Sequence, residues 1–427
     1  MTSERFNPML HAKAVKWAWP LVYKPDVGFY EYLPEKGLWA ALKRDYVEEY
    51  VVNMLNGGAT PGKLNSVREL VEKLDLMPSD KDFNEWLNLI NLRNGMCDIS
   101  NKVLLPHHPD LYSSNQLNVN YNPDAKAPRW FSFMEEIFDG DSAVTALIQE
   151  FMGYSLVADT RFEKALILVG EGANGKSTMI KVWEELIGHE NIASVTLTNL
   201  KDQFHRASLH GKLLNIAAEL SATTVEQSDY FKRIVSGDTI DAAHKFKDVF
   251  HFKPYARLVY AMNEMPRVKD NSHGFYRRLL VVPFTKRFEG KAADRTLSKK
   301  LLTELDGIFQ WALEGLYRLY SNDGFTEPRS VKEMLKQYQF QNNPVQAFVD
   351  EWCVLDPEGV TTKKELYWSY RDYAKDFGYD SLPLNSFFRD LHRALPELKS
   401  SRIGPKNARE YAVKGIRLKE PRKARLG

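Results

Sequence analysis

The sequence predicts an α/β protein built around a phosphate-binding loop. An α+β N-terminal domain, a short helical segment and a C-terminal helix–helix–hairpin module surround that core. Three observations predict it. Residues 166–180 read LILVGEGANGKSTMI, an apolar run leading into G-x-x-x-x-G-K-S. The later apolar runs LLNIAAEL (213–220), ARLVYAMNEMP (256–266) and GFYRRLLVVPF (274–284) alternate with helical stretches, as in a parallel sheet with crossover helices. Residues 345–427 then change character, becoming aromatic-rich, helical and basic.

Bulk properties narrow the function. The 427 residues are 44% hydrophobic and 27% charged, enough chain for two or three domains. The net charge of +2 excludes a chain that is basic throughout, so any nucleic-acid surface is a local patch. Two distant cysteines, Cys97 and Cys353, form no disulfide framework and no zinc pair. The N-terminus MTSERFNPMLHAKAVKW lacks a signal-peptide core, and no apolar run is long enough to span a membrane. A cytoplasmic protein without membrane contact is expected.

Four regions follow in order. In residues 1–125, GFYEYLPEKGLWAAL reads as a hairpin turning at Pro34-Glu35-Lys36-Gly37. Residues 91–123 are strand-and-turn sequence, and His107 and His108 sit there in a plain loop with no metal-spaced partner. Residues 126–160 carry two helical stripes: Phe131, Met134, Ile137 and Phe138, then Val144, Leu147, Ile148 and Phe151. Either core packing or a collar where subunits meet explains them. Residues 161–330 hold the phosphate loop. Residues 345–427 form the last module, punctuated by Pro344 and an Asp356-Pro357-Glu358-Gly359 turn.

In the loop, Gly170, Gly172 and Gly175 let the backbone turn tightly and approach oxygens. Glu171, Ala173, Asn174 and Thr178 complete the wrap. The N–H groups and the positive end of the following helix suit a phosphate chain. Lys176 neutralises the outer phosphates, and the Ser177 hydroxyl suits Mg2+, a hard cation. Glu219 ends the next buried strand, where an acid can hold Mg2+ and polarise a water. Asn263 ends the strand after that and can orient the same water. Arg277 and Arg278 precede a further strand; their donor forks match charge spread over a transferring phosphoryl group. Between Glu219 and Asn263, SGDTIDAAHKFKDVFHFKPYA reads as a hairpin with His244, Lys245 and Lys247 at its tip, suited to a phosphate backbone.

The order GEGANGKST, AAEL, basic hairpin, YAMNEMP, GFYRRLLVVPF resembles the superfamily 3 helicases. Within them it is similar to the phage and plasmid primase–helicase branch that includes the poxvirus-type primase–helicases. Residues 91–130 and FMGYSLVADTRFEKALILVGEGANGKST also resemble that branch, over roughly residues 25–400. The resemblance implies an AAA+-like P-loop ATPase that forms a ring, a hexamer, hydrolyses ATP with Mg2+ and moves 3′ to 5′ on single-stranded DNA. It implies replication of a phage, plasmid or mobile element, with forked or origin duplex as substrate. It assigns Lys176 and Ser177 to phosphate and Mg2+, Glu219 to the acid, Asn263 to the sensor, and Lys245 and Lys247 to DNA. Arg278, before Arg277, takes the finger role. Two departures stand out. Ala218 occupies the place of a second acid, for which Glu226 and Asp229 are candidate sources. No primase motif precedes the helical segment, which implies a helicase served by a separate primase or polymerase, or a piece of a longer protein.

The last module opens with the capping box Thr362-x-x-Glu365. Leu366, Tyr370, Tyr373 and Phe377 form one helical stripe, ended by Gly378. Leu384, Phe387, Phe388, Leu391 and Leu395 form another. Arg389, His392 and Arg393 lie off the second stripe. A strand–turn–strand follows, and from Arg402 onward nine basic residues face two acids. Helix, helix, hairpin resembles a winged helix, with Arg389 and Arg393 on the DNA-facing helix. The competing readings are an ATP-switched origin-binding initiator and, disfavoured by the hairpin and arginines, a small-molecule kinase.

Overall fold

The computed structural model describes residues 6–419 except 26, 43–44, 56, 220–224, 226–227, 269, 271, 289–293, 295, 378–380 and 406–407, and leaves out the side chains of Asp45 and Glu219. The chain divides into two compact units, residues 1–332 and 333–427.

The first unit opens with helix Pro8–Ala18, whose Asn7 cap accepts from the Met9 and Leu10 N–H groups. A three-stranded antiparallel sheet follows: Leu21–Lys24, Gly28–Leu33 and Leu38–Ala41. Its second hairpin turns at residues 34–37 as the sequence predicts. Gly37 has φ +69°, and a Cβ there would strike the His107 ring. His107 Nε2 reaches Leu92 O at 2.8 Å, so the ring packs inside the domain. Helices Asp45–Met54 and Pro61–Leu74 and the small sheet of Leu89–Leu92, Gly95–Asp98 and Val103–Leu105 complete the N-terminal region.

The core is a five-stranded parallel sheet in the order Leu279–Pro283, Ala165–Val169, Arg257–Met262, Leu214–Glu219, Ile192–Ala193. All of Ala165–Val169 is buried, because helices cover both faces of such a sheet. Helix Lys176–Ile187 lays Met179, Val182, Trp183, Leu186 and Ile187 on it.

Helices Pro128–Ile137 and Ser142–Tyr154 form where the stripes place them. The second is buried against helix Leu305–Asn322 at a close approach: a Cβ on Gly153 would meet Ala312 O at 2.3 Å, and one on Gly315 would meet Gln149 O at 2.3 Å. The Glu150 carboxylate, fully buried, accepts from Arg318 at 2.7 Å and from the N–H and hydroxyl of Thr326. These faces are used within the chain. One assignment changes: Phe131 is 50% exposed, and Trp130 and Phe133 take the core positions beside Met134 and Ile137.

The second unit has helices Pro344–Trp352, Lys363–Asp376 and Leu384–Ala394, and a sheet ordered Cys353–Thr362, Glu410–Leu418, Lys399–Ile403. The capping box is present, with Glu365 and Thr362 each bonding the other's backbone. Leu366, Tyr370, Tyr373, Phe387, Phe388, Leu391 and Leu395 fill the core, with Tyr370 and Phe387 stacked at 4.4 Å. Phe377 and Leu384, expected in those stripes, are exposed at the helix ends; Gly378 lies outside the described residues. The turn expected at 356–359 is a bulge inside the long strand Cys353–Thr362.

Candidate functional site

Residues 170–175 link the strand Ala165–Val169 to the helix Lys176–Ile187, at the carboxyl end of the sheet. Gly170 must be glycine: its φ is +159° and a Cβ would meet Phe284 O at 2.3 Å. Gly175 caps the helix at φ +87°, with Ile137 Cγ2 only 2.6 Å from where a Cβ would lie. Gly172 differs, since a Cβ there meets nothing within 4 Å. Ala173 is held in the left-handed region at φ +60°, and its carbonyl accepts from Phe288 N at 2.7 Å.

Lys176 folds back into this loop. Its ammonium donates to Gly170 O, to Asn174 Oδ1 at 3.3 Å and to Glu171 O at 3.5 Å. Burial pushes its pKa below the usual lysine value. No carboxylate pairs with it among the described residues, so its charge is available to an anion. Buried Asn174 braces the loop, donating to Glu171 O and accepting from Lys176 N. Arg287 pairs with the Glu171 carboxylate. Ser177 is exposed and Thr178 half-buried, both in the first helical turn.

The strand order brings the other candidates to the same end. Gly170 N donates to Met262 O at 3.1 Å, joining the loop to the strand that runs into Asn263. Met262 is level with both Val169 and Glu219. Two strand spacings separate Val169 from Glu219, roughly 10 Å. Asn263 is exposed between them. The Glu219 side chain and Glu226 lie outside the described residues. Asp229 is exposed and pairs with Lys232 at 3.2 Å.

Arg277 and Arg278 lie at the opposite end. Arg278 O accepts from Ala165 N at 2.8 Å, at the amino ends of two core strands. A five-residue strand spans roughly 16 Å, so neither arginine reaches the loop of its own chain through the sheet. Both are anchored locally. Glu163 takes Arg277 at 2.6 Å and Arg278 at 3.3 Å. Arg278 also donates to Ser236 Oγ at 2.8 Å and Gly274 O at 2.5 Å. Arg278 is thus enclosed, with its side chain 11% exposed, against 44% for Arg277. Burial, then Arg277 beside it, lowers the Arg278 pKa.

The hairpin Ile240–Ala243/Val249–Phe252 forms as read. Its tip exposes His244, Lys245 and Lys247, and the His244 ring stacks on Phe250 at 5.4 Å. Sequence reasoning missed the residue between the lysines. Phe246 is fully exposed and in the left-handed region at φ +63°. A bulky side chain in that conformation is strained, and strain concentrates at functional sites. The signal was Lys-Phe-Lys at a turn, an aromatic where water offers it nothing. At the hairpin base, Asp241 is held by buried Arg206 at 2.5 Å.

In the second unit, Arg389 and Arg393 are exposed on one helix, but both pair with Asp390, at 3.3 and 3.7 Å. The strand hairpin beside them carries exposed Tyr411, with the Arg402 guanidinium 4.7 Å from its ring. Among the described residues no group of three or more His, Cys, Asp or Glu is arranged to hold a metal, and no helix is long and apolar enough to cross a membrane.

Residues 38–139 match the family described as D5 N terminal like, 168–278 a family of unknown function (DUF5906), and 340–416 the family described as Poxvirus D5 protein-like. "Putative helicase L207/L206" of Acanthamoeba polyphaga mimivirus is 26% identical over 326 residues, covering 69% of this chain and 34% of that protein. The similarly named 184R of Invertebrate iridescent virus 6 is 22% identical over 367 residues, covering 74% and 37%. The chain spans about a third of the length of these curated relatives. In fold it is similar to the NrS-1 C-terminal region (305–718), with TM-score 0.57, 12% identity, and 96% of this chain and all of that one covered.

Proposed function

We propose that this chain is the motor of an ATP-dependent replicative DNA helicase of the primase–helicase kind, of superfamily 3. It works as a ring, a hexamer, moving 3′ to 5′ on single-stranded DNA in the cytoplasm, with forked or origin DNA as substrate and a primase or polymerase as partner. One observation carries the reading: the phosphate loop, Glu219 and Asn263 share the carboxyl end of the sheet, while Arg277 and Arg278 sit at the amino end. A triphosphate on the loop would therefore meet these two arginines only from a second copy. The helicase names of the viral relatives and the Lys-Phe-Lys hairpin support the DNA part.

In this mechanism the loop N–H groups and Lys176 bind and orient the triphosphate. Ser177 and Glu219 would hold Mg2+, which would supply positive charge to the phosphate oxygens; the exposed Ser177 hydroxyl, in the first helical turn, is a hard-oxygen donor that fits it. Glu219 takes the proton of the attacking water, and Asn263 orients that water. Arg278 or Arg277 of the neighbouring copy stabilises charge in the transition state, an effect worth about 10³-fold or more in rate. Lys245, Lys247 and His244 bind DNA phosphates, and the Phe246 ring stacks on a base. Arg389 and Arg393 add duplex contacts from a winged-helix-like module.

The test is unwinding of forked DNA with a 3′ or a 5′ tail, combined with particle imaging in an ATP analogue. Rings and ATP-dependent unwinding from the 3′ tail are expected. A monomer with full ATPase activity would refute the reading, and DNA-stimulated hydrolysis without unwinding would favour the origin-initiator alternative.

A further inference from the structure

The arginine corner and the DNA hairpin are joined by one short helix, Asp229–Ser236. At its C-terminal end, Ser236 Oγ accepts from Arg278 Nη2 at 2.8 Å and from Nε at 3.3 Å. At its N-terminal end, Tyr230 donates its hydroxyl to Asp241 Oδ1 at 2.8 Å, at the base of the hairpin. The Arg206 guanidinium stacks 3.6 Å from the Tyr230 ring while pairing with the same Asp241. Tyr230 and Ser236 lie six positions apart on the helix, roughly 9 Å of stiff backbone.

Two more contacts tie the helix to the segment that carries the arginines. Phe231 packs on Phe275 at 5.2 Å, and Phe275 lies just ahead of Arg277. Lys232 bonds Asp270 at 2.9 Å, on the connection between Asn263 and the arginines. Burial would raise the Asp270 carboxyl, but hydrogen bonds from Ser228, Ser272 and Lys232 outweigh it and hold it at about 2, so this anchor stays ionised.

We propose that helix Asp229–Ser236 is the coupling element between nucleotide and DNA, with Ser236 and Tyr230 as its positioning residues. This rests on the in-trans arginine reading above. To reach a neighbour's phosphate, Arg278 must release Ser236 Oγ and Gly274 O. That release frees the C-terminal end of the helix. Tyr230 at the other end then shifts Asp241, and the strands carry the shift to Lys245, Phe246 and Lys247. In this scheme the element takes two arrangements, the latched one seen here and a released one, as coupling requires. Neither Ser236 nor Tyr230 touches nucleotide or DNA in this scheme.

The experiment measures the full chain's ATPase rate with and without single-stranded DNA, for wild type, Ser236→Ala, Tyr230→Phe and the double variant. Melting temperature and single-stranded DNA affinity are read in parallel. Each single variant should keep its basal rate and DNA affinity but lose about five-fold or more of the DNA stimulation. The double variant should be no worse than the weaker single one, since both cut one path. Ser236→Thr, which keeps a hydroxyl, should recover stimulation. Unchanged stimulation in both singles, or losses that multiply in the double, would overturn the coupling role. So would a loss of stimulation that tracks melting temperature across these variants and Asp241→Asn. A wild type that hydrolyses ATP only as a monomer sinks the parent reading instead, and is distinguished by its oligomeric state.

Discussion

The two ends of the core sheet make opposite preparations. At the carboxyl end, Lys176 is buried, unpaired with any described carboxylate and aimed into a loop of backbone groups. At the amino end, Arg277 and Arg278 are already occupied by Glu163, Ser236 and Gly274. In the proposed reading, one end receives an anion and the other holds its cations in reserve. Such a division makes sense when the two ends meet only across copies, and when the stored arginine reports its release to something else.

The comparison breaks first at the arginines. Removing both, as Arg277→Ala with Arg278→Ala, should lower ATP turnover by about 10³-fold while leaving ATP affinity nearly unchanged, measured by steady-state kinetics and fluorescent-nucleotide binding. At the other end, Lys176→Ala should cost about 10²–10³-fold in turnover, the scale of losing one preorganised charge donor, and should weaken ATP binding as well. The two losses differ in affinity, and that difference separates a transition-state contact from a binding contact.

The hairpin comes next. Phe246→Ala should weaken single-stranded DNA binding by about 10-fold, the low end of base stacking, with little change in its salt dependence. Lys245→Ala with Lys247→Ala should flatten the salt dependence itself, because each lysine neutralises a phosphate. A titration at several salt concentrations reads both.

Glycine substitutions sharpen the same contrast within the loop. Gly175→Ala forces a Cβ onto Ile137 in a left-handed cap and should destabilise the fold by about 1–3 kcal/mol. Gly172→Ala meets nothing and should leave melting unchanged. The smallest effect is one of pH. Burial, then nearby Lys24, pushes His210 down from 6.5 to about 4, and its ring packs edge-on to Phe250 and Phe252 at 5.6 and 5.1 Å. The unfolded chain then takes up this proton first as pH falls. Stability should decline from about 6.5 to about 4 and this contribution should flatten below that; His210→Gln should remove that part of the slope in pH-dependent melting.

Much of the core was readable because fully buried parallel strands are continuous apolar runs. The apolar stretches in LLNIAAEL and ARLVYAMNEMP give way to Glu219 and Asn263 where the strands end, so both were placed at strand tips from the sequence pattern alone. Not every strand was readable. Ile192–Ala193 is too short to carry a pattern, and Cys353–Thr362 hides a bulge behind Asp-Pro-Glu-Gly turn chemistry. Helical phase misled where aromatics adjoin: in Arg-Trp-Phe-Ser-Phe, spacing alone chose Phe131, while packing against Trp311 chose Trp130. Arg278 was singled out as a candidate, but its contacts with Ser236 and Glu163 join residues distant in sequence, which no local pattern reveals. Phe246 was passed over because an exposed aromatic at a turn violates the pattern used to read the hairpin.

The most direct test of the central claim mixes two inactive proteins, Lys176→Ala and the Arg277→Ala, Arg278→Ala double variant. Each alone should fail to hydrolyse ATP. Mixed, the intact loop of the second faces the intact arginines of the first, and hydrolysis should reappear. A mixture as inactive as its components, or an arginine variant that is active by itself, would contradict a catalytic site shared between two copies of this chain.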